Sequence, residues 1–139
     1  MRVMKVTVEH LGGVQFEAMA RQHRIVRDQP AENGGFDEGM TPPELLLASL
    51  ASCAGFYAAQ YLKKHHLGIQ GTVVSISAEK ATNPPRLNDF HIQVEIPSKI
   101  SDQHSSRIAE AVRRCLIHNT LLNRPSISLE IKRSVLEAA

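Results

Sequence analysis

The two cysteines, Cys53 and Cys115, are the residues of this 139-residue chain best suited to covalent chemistry. A thiolate attacks peroxides and disulfides, and the sulfenic acid that a peroxide leaves behind condenses with a second thiol. The alternative is that both are small buried hydrophobic residues, as free cysteines usually are. The residues one helical turn from Cys53 are all uncharged: Ser49, Leu50, Phe56 and Tyr57. Since apolar surroundings disfavour a thiolate, a reactive Cys53 requires an arginine or lysine from elsewhere in the fold.

The remaining candidate side chains are histidines and arginines. His118 follows Cys115 closely and is either its base or, together with both cysteines, a zinc ligand. A zinc site needs a fourth ligand that the sequence does not supply, so no metal site is predicted. His65-His66 is interpreted as a solvated helix end, and Arg113-Arg114 as a solvated helix face. The sequence has no phosphate-binding glycine motif and no Gly-x-Ser-x-Gly motif, so no cofactor is predicted.

The first cysteine lies in a long apolar stretch with a strong helix start. Thr41 and Glu44 have the spacing of a capping box, in which each side chain bonds the backbone amide of the other. No residue in the range 45–61 carries a charge. A helix that is apolar on every face is typical of a protein interior, and this one is too short and too rich in small residues for a membrane span. The sequence predicts a helix over about 42–66, stopped by Gly68 in the left-handed conformation.

Alternating apolar and polar residues predict strands on both sides of this helix. The strands predicted before it are 5–9 and 14–20, joined by a Gly-Gly turn, and 24–27. Residues 28–40 are rich in turn-forming residues and predict a loop. The strands predicted after the helix are an antiparallel pair, 72–79 and 90–96, and a last strand, 126–132.

The second cysteine lies on a predicted amphipathic helix that begins at Ser101. Its apolar stripe consists of Ile108, Ala109, Val112, Cys115 and Leu116. Residues 119–122 continue the helix after a kink, and Pro125 ends it.

The predicted order βββ-α-ββ-α-β indicates an α+β fold with antiparallel sheets, in a single domain spanning residues 1–139. Because the first helix is apolar on all sides, one sheet covers one side of it, and the second helix or another subunit must cover the other. A homodimer is the economical solution. We expect it to be obligate and to bury well over about 2,000 Å².

Composition limits the choice of partners and of compartment. The net charge of +2 is too small to indicate nucleic acid. The N-terminal ten residues alternate and carry charges, unlike the apolar core of a signal peptide. The expected location is therefore the cytoplasm, with no membrane partner. Thiols are normally reduced there, which argues against a permanent structural disulfide.

The two cysteine-containing segments together resemble the signatures of one family, the OsmC/Ohr proteins (osmotically inducible and organic-hydroperoxide-resistance proteins). The first signature, a Pro-rich cap, Glu-Leu-Leu and an Ala-rich turn leading to a reactive cysteine, is similar to residues 41–53. The second, which holds the other cysteine, is similar to residues 107–121. The order of predicted elements also matches over nearly the whole chain. The resemblance implies an intertwined homodimer, with antiparallel sheets around two central helices and a thiol pair at the subunit interface.

The activity that this resemblance implies is thiol-dependent reduction of small organic hydroperoxides, as part of the response to oxidative stress. Cys53 matches the cysteine that attacks the peroxide, and Cys115 matches the one that resolves the sulfenic acid into a disulfide. The family's peroxidases are reduced by lipoylated proteins or other dithiols.

Two departures from the hydroperoxidase branch concern the groups that activate its cysteine. Pro43 stands where that branch has a glutamate, and Val14-Gln15 stands where its arginine follows the Gly-Gly turn. Arg21, Arg24 and Arg27 are the alternative sources of a cation. A second hypothesis follows from these departures. In this hypothesis the chain is a non-enzymatic dimeric binding protein that holds an apolar small molecule at its interface. Both thiols then serve only as buried packing residues.

Overall fold

A computed structural model describes residues 3–133 and begins with an antiparallel sheet of order β1-β2-β3. Its strands are β1 (Thr7–Gly12), β2 (Gln15–Ala20) and β3 (His23–Arg27). Gly13 occupies the first turn with φ +53°, a conformation that glycine adopts without steric cost. The predicted hairpin and third strand are confirmed, with boundaries shifted by at most three residues.

The predicted loop over 28–40 is ordered around one buried carboxylate. Asp28 is fully buried, and its oxygens accept hydrogen bonds from the Gln15 side-chain amide and from the backbone N–H groups of Gln29, Phe36 and Glu38. A short 3-10 helix, η1 (Ala31–Asn33), lies within the segment. Gly35 is required there, because a Cβ atom at this position would lie 2.0 Å from the carbonyl oxygen of Gln29.

The long helix α1 (Pro42–Lys64) begins as predicted. Thr41 N–H donates to the Glu44 carboxylate at 2.9 Å, and Glu44 N–H donates to the Thr41 hydroxyl at 3.4 Å, which completes the capping box. By length and composition alone α1 is able to cross a membrane, but one side of it packs on other elements of this chain. Its buried stripe is Leu50, Ala54, Ala58 and Leu62.

The predicted stop of α1 at Gly68 is wrong. His66 takes the left-handed conformation instead, with φ +55°. Leu67 N–H donates to the Leu62 carbonyl at 2.8 Å, and His66 N–H donates to the Lys63 carbonyl at 3.2 Å. This is the Schellman pattern, and it is anchored because Leu67 packs against the core. The helix therefore ends two residues earlier than a glycine stop would place it.

The second sheet consists of β4 (Val73–Ala81) and β5 (Arg86–Glu95), an antiparallel pair longer than the sequence predicts. Side chains alternate between half-buried and exposed along both strands. Val74 lies opposite Val94, and Ile76 opposite Ile92, so apolar side chains share one face. That face packs on α1.

The predicted second helix is present but is divided at the second cysteine. Ser101 caps α2 (Asp102–Arg113) by accepting from His104 N–H at 3.1 Å, and α3 (Leu116–Leu122) follows a break at residues 114–115. A break in the helix is confirmed, but it lies at residues 114–115 and not just before residue 119. The predicted stripe is partly wrong, because Ala111 replaces Ala109 among the buried residues and Leu116 is 64% exposed. Leu116 lies beyond the break, where the periodicity of α2 no longer applies.

The core is formed where α1, α2 and the second sheet meet. Its buried members are Ala54, Ala58 and Leu62 from α1 with Ile108 and Val112 from α2. Half-buried apolar residues pack around them: Tyr61, Leu67, Val74, Ile92, Val94, Ile96 and Ile100. The α+β class and the antiparallel sheets are confirmed.

The predicted last strand is wrong for a single chain. Residues 124–133 form no strand, and Ile127, Leu129 and Ile131 are 80–87% exposed. A strand needs a partner edge, and within residues 3–133 none pairs with this segment. The first sheet is similarly isolated, because the major contacts of β1, β2 and β3 are with one another. Antiparallel sheets were expected to surround two helices. Within the described residues of one chain, only the sheet of β4 and β5 packs on the helices, so this expectation is met in part.

Candidate functional site

The structure brings Cys53 and Cys115 together as a disulfide. The two residues are 62 positions apart, and their Cα atoms are 6.0 Å apart, within the range that a disulfide requires. Cys53 comes from the middle of α1. Cys115 comes from the break between α2 and α3, where packing of α2 along α1 delivers it.

Cys115 is held in place by the backbone at the break. It has an extended conformation, with φ −57° and ψ 132°. Its N–H donates to the Val112 carbonyl at 3.0 Å, and its carbonyl accepts from Asn119 N–H at 3.0 Å.

The two sulfur-bearing residues differ in accessibility. Cys115 is fully buried, whereas Cys53 is half-buried. A reagent from solvent therefore reaches Cys53 first, and Cys115 is accessible chiefly to Cys53 itself. This asymmetry is what an attacking and a resolving thiol require.

None of the three alternative arginines is delivered to Cys53 within this chain. Arg24 pairs with Glu17 at 2.6 Å, and Arg21 is exposed in the turn between β2 and β3. Arg27 lies over the ring of Phe16 at 4.9 Å, and its Nη1 is buried without a hydrogen-bond partner. All three belong to the first sheet, whereas the major contacts of α1 are with β4, β5, α2 and α3.

Glu44, at the start of α1, is engaged in the capping box. The Thr41 backbone amide and hydroxyl hold the pKa of Glu44 below its usual value by hydrogen-bonding to the carboxylate. Pro43, at the adjoining position, has no ionisable side chain. In one chain, therefore, neither residue supplies an acid directed at Cys53.

His118 lies in α3 and lines two mainly apolar cavities, whose polar members include Asp89 in one and Arg113 in the other. Its Nδ1 is buried without a hydrogen-bond partner. One cavity of about 560 Å³ is lined by His118 together with apolar side chains that include Leu50, Phe90 and Leu121. Within residues 3–133 no group of three or more His, Cys, Asp or Glu side chains is arranged to hold a metal ion. Leu50 lies one turn before Cys53, so this cavity adjoins the disulfide along α1.

Sequence reasoning missed an aromatic cluster where the end of α1 meets the start of α2. The Tyr61 hydroxyl and His104 Nδ1 are hydrogen-bonded at 2.8 Å, and the rings of Tyr61 and His65 stack at 4.2 Å. His65 is half-buried, not a solvated helix end. The i, i+4 spacing of Tyr61 and His65 is a signal for their contact, but nothing in the sequence places His104 beside them.

Comparison with known proteins shows which solved structures share this fold. A family model described as OsmC-like protein matches residues 35–130. A solved structure assigned to the osmotic stress and detoxification response of Psychrobacter arcticus 273-4 has a TM-score of 0.77 at 23% identity, covering 86% of this chain and 89% of that chain. An OsmC-like protein from Mycoplasma pneumoniae has a TM-score of 0.76 at 23% identity, with coverage of 88% and 89%.

A third structure has a more specific name. The organic hydroperoxide resistance protein OsmC from Legionella pneumophila has a TM-score of 0.61 at 16% identity, covering 88% of this chain and 91% of that chain. A search of curated proteins gives no match. The family model spans most of the chain, including both cysteines, and the solved structures share its fold. The chain therefore belongs to the OsmC/Ohr family.

Proposed function

We propose that this chain is a thiol-dependent hydroperoxide reductase, with Cys53 as the attacking cysteine and Cys115 as the resolving one. The observation that carries the proposal is the bonded pair, in which a half-buried sulfur on α1 meets a fully buried one at the α2–α3 break. A pair used only for packing would not need one accessible member. The name of the Legionella relative, a hydroperoxide resistance protein, supports the same reaction class.

The proposed reaction balances with one peroxide and two thiols. The Cys53 thiolate attacks the terminal oxygen of the hydroperoxide, the O–O bond breaks, and the alkoxide leaves as an alcohol after taking a proton. The resulting sulfenic acid is attacked by the Cys115 thiol, which forms the disulfide and releases water. A dithiol reductant, such as a lipoylated protein, then restores both thiols by exchange and is itself oxidised to a disulfide.

The proposal includes a homodimer and a cytoplasmic location, where dithiol reductants are available. The isolated first sheet and the exposed apolar residues near the C-terminus support a second copy as the missing partner. The cation that Arg21, Arg24 and Arg27 do not supply to Cys53 within one chain would then come from the partner subunit. The substrate class is a small organic hydroperoxide, and the apolar cavity beside Leu50 supports an apolar body.

The test is the mass of the fully reduced protein after a brief pulse of cumene hydroperoxide, measured without reductant. We expect the wild type to lose two hydrogens per chain, because both thiols are consumed in one disulfide. Cys115→Ser should instead gain oxygen on Cys53, since nothing resolves the sulfenic acid. Cys53→Ser should remain unmodified. A wild type that stays reduced, or variants with the reversed pattern, would contradict the assigned roles.

A second candidate function is the binding of an apolar small molecule without turnover. It is favoured because Arg21, Arg24 and Arg27 lie on the first sheet or in its turn, away from α1, and because a mainly apolar cavity lies next to His118. The same pulse separates the two functions. A folded wild type that keeps both thiols after the pulse supports the binding function.

A further inference from the structure

A cavity of about 450 Å³ lies at the junction of α1 and α2, beyond the cysteine pair toward the end of α1. Its polar lining consists of two cations, two tyrosines, a histidine and an amide: Lys64, Arg114, Tyr57, Tyr61, His65 and Gln60. Among residues 3–133, no carboxylate lines it. Hydrogen-bond donors and cations without an acidic residue are the complement of an anionic ligand.

Within the described part of the chain, no carboxylate forms an ion pair with Lys64 or Arg114. Burial lowers the pKa of His65, and the charges of His104, Lys64, Arg107 and His66 lower it further. No carboxylate contributes to that shift. The one ion pair among residues 3–133 lies in the first sheet, between an arginine and a glutamate there. An anion in the cavity would therefore meet favourable potential from Lys64 and Arg114, which lie at the C-terminal ends of α1 and α2 and offset the negative dipole ends there.

The wall of the cavity is ordered by contacts between α1 and α2. The Tyr61 hydroxyl is hydrogen-bonded to His104 Nδ1 at 2.8 Å, and the ring of His65 lies 5.5 Å from that of His104. Stacking of Tyr61 on His65 adds a flat aromatic surface. The available volume is many times the roughly 30 Å³ that one water molecule occupies, so there is room for an organic body beside an oxyanion.

We propose that this cavity binds a small organic oxyanion, a carboxylate or phosphate on an aromatic or apolar body. Arg114 and Lys64 serve as counter-ions, and Tyr57 and Tyr61 contact the body. The Arg114 guanidinium is a planar fork that matches two oxygens of either group. The site needs no thiol chemistry, so it stands independently of the proposed reductase activity.

The test is isothermal titration calorimetry of the full-length protein with phenylacetate and with phenyl phosphate, and benzyl alcohol as the neutral control. We expect saturable binding of at least one anion, and the tighter of the two identifies the oxyanion. Arg114→Gln and Lys64→Gln should each weaken that binding about tenfold, because a charge-assisted contact is lost. Absence of saturation by either anion at about 1 mM, or equal binding of benzyl alcohol, would overturn the proposal.

Matched controls are provided by the neighbouring cations. Lys63→Gln and Arg113→Gln remove the same charges from positions outside the cavity lining. Both should bind as the wild type does. If these controls weaken anion binding equally, the weakening is due to general surface charge, and the proposed site is wrong. Melting curves of all four variants keep binding separate from folding.

The pH dependence of binding is measured with phenylacetate, which stays ionised between pH 5.5 and pH 8. A phosphate ester is unsuitable because it titrates near pH 6. Binding should be tighter at pH 5.5 than at pH 8, because His65 gains a proton as the pH falls. His65→Gln should reduce this difference. Tighter binding of phenylacetate at the higher pH would contradict the role of His65.

Discussion

Asp28 shows how much one side chain contributes to the order of a segment without regular structure. Four donors surround its carboxylate: the Gln15 amide and three backbone N–H groups. Desolvation acts to raise the pKa of Asp28, but the hydrogen bonds from Gln29, Glu38, Gln15 and Phe36 outweigh it, and the pKa lies below its usual value of 3.8. The ionised carboxylate therefore holds the end of β3 against the segment that leads into α1.

We predict that Asp28 makes folding acid-sensitive. Because its pKa is lower in the folded state, its contribution is present above about pH 3.8 and is lost as the pH falls through the lowered pKa. Asp28→Asn should lower the melting temperature at pH 7, since one amide oxygen cannot accept from four donors and its NH₂ group opposes them. It should also flatten the acid limb of a plot of melting temperature against pH.

The control for this prediction is Asp37→Asn in the same segment. Asp37 is exposed and has φ +56°, a conformation that asparagine also tolerates. It should behave as the wild type does. An equal loss in both variants would mean that acid sensitivity belongs to the segment as a whole and not to the buried carboxylate.

Single-residue chemistry was only partly predictable from the sequence. The capping pair Thr41 and Glu44 was predicted because both partners lie within one turn. The pairing of Cys53 with Cys115 was implied only by the family resemblance, since no local rule joins residues 62 positions apart. The role of Asp28 was missed because its donors come from a distant strand and from backbone amides that no sequence pattern marks.

At the scale of elements, the junction between the end of α1 and the start of α2 combines packing with titration. Tyr61, His65 and His104 form its aromatic contacts. Burial keeps His65 neutral at a pH where a free histidine would begin to gain a proton, because its pKa lies below the usual 6.5. The junction is therefore most stable when His65 is uncharged.

We predict that this junction weakens in mild acid. A lowered histidine pKa means that its contribution to stability is present above about pH 6.5 and is lost as the pH falls through the folded-state pKa. His65→Phe keeps the stacked ring and removes the titration, so its unfolding free energy should fall less than that of the wild type between pH 7.5 and pH 5. Urea unfolding at both pH values measures this.

The control for the His65 prediction is a substitution at His23, which is exposed. His23→Phe should keep the pH dependence of the wild type, because His23 lies on the first sheet and away from this junction. If His65→Phe loses stability in acid as steeply as the wild type, another group is responsible.

Element boundaries followed from the sequence where their causes are local. Capping and alternation gave the start of α1 and the two hairpins. The end of α1 depends on Leu67 reaching the core, so the glycine nearest in sequence was the wrong choice. The strand predicted over 126–132 has the correct alternation, but alternation cannot say whether a partner edge exists.

At the scale of the whole molecule, one chain exposes more surface than a compact monomer of its mass. The chain exposes 11604 Å², whereas a compact monomer of 15.4 kDa exposes about 7,200 Å². The exposed surface includes large apolar side chains, among them Phe56 on α1, Ile25 on β3 and Leu129 near the C-terminus. Three strands without a core of their own are at best marginally stable in water.

We predict that the protein is a dimer at micromolar concentration and that the alternating segment near the C-terminus contributes to the interface. Leu129→Asp should shift the protein toward monomer or unfolded chain, because a charge replaces an apolar side chain on the interface face. Light scattering coupled to size exclusion measures this. Ser128→Asp, on the opposite face, should remain dimeric. A folded wild-type monomer at that concentration would contradict the prediction.

The position of the disulfide along the chain has a consequence for how the molecule comes apart. The bridge closes a covalent ring over residues 53–115, and every member of the buried core cluster lies inside that ring. The first sheet and the exposed segment near the C-terminus lie outside it. Oxidation therefore restricts the unfolded chain in the region that already has its own core. The segments outside the ring remain covalently free, so we expect the redox state to act on the core and, if the predicted dimer forms, protomer concentration to act on the remainder.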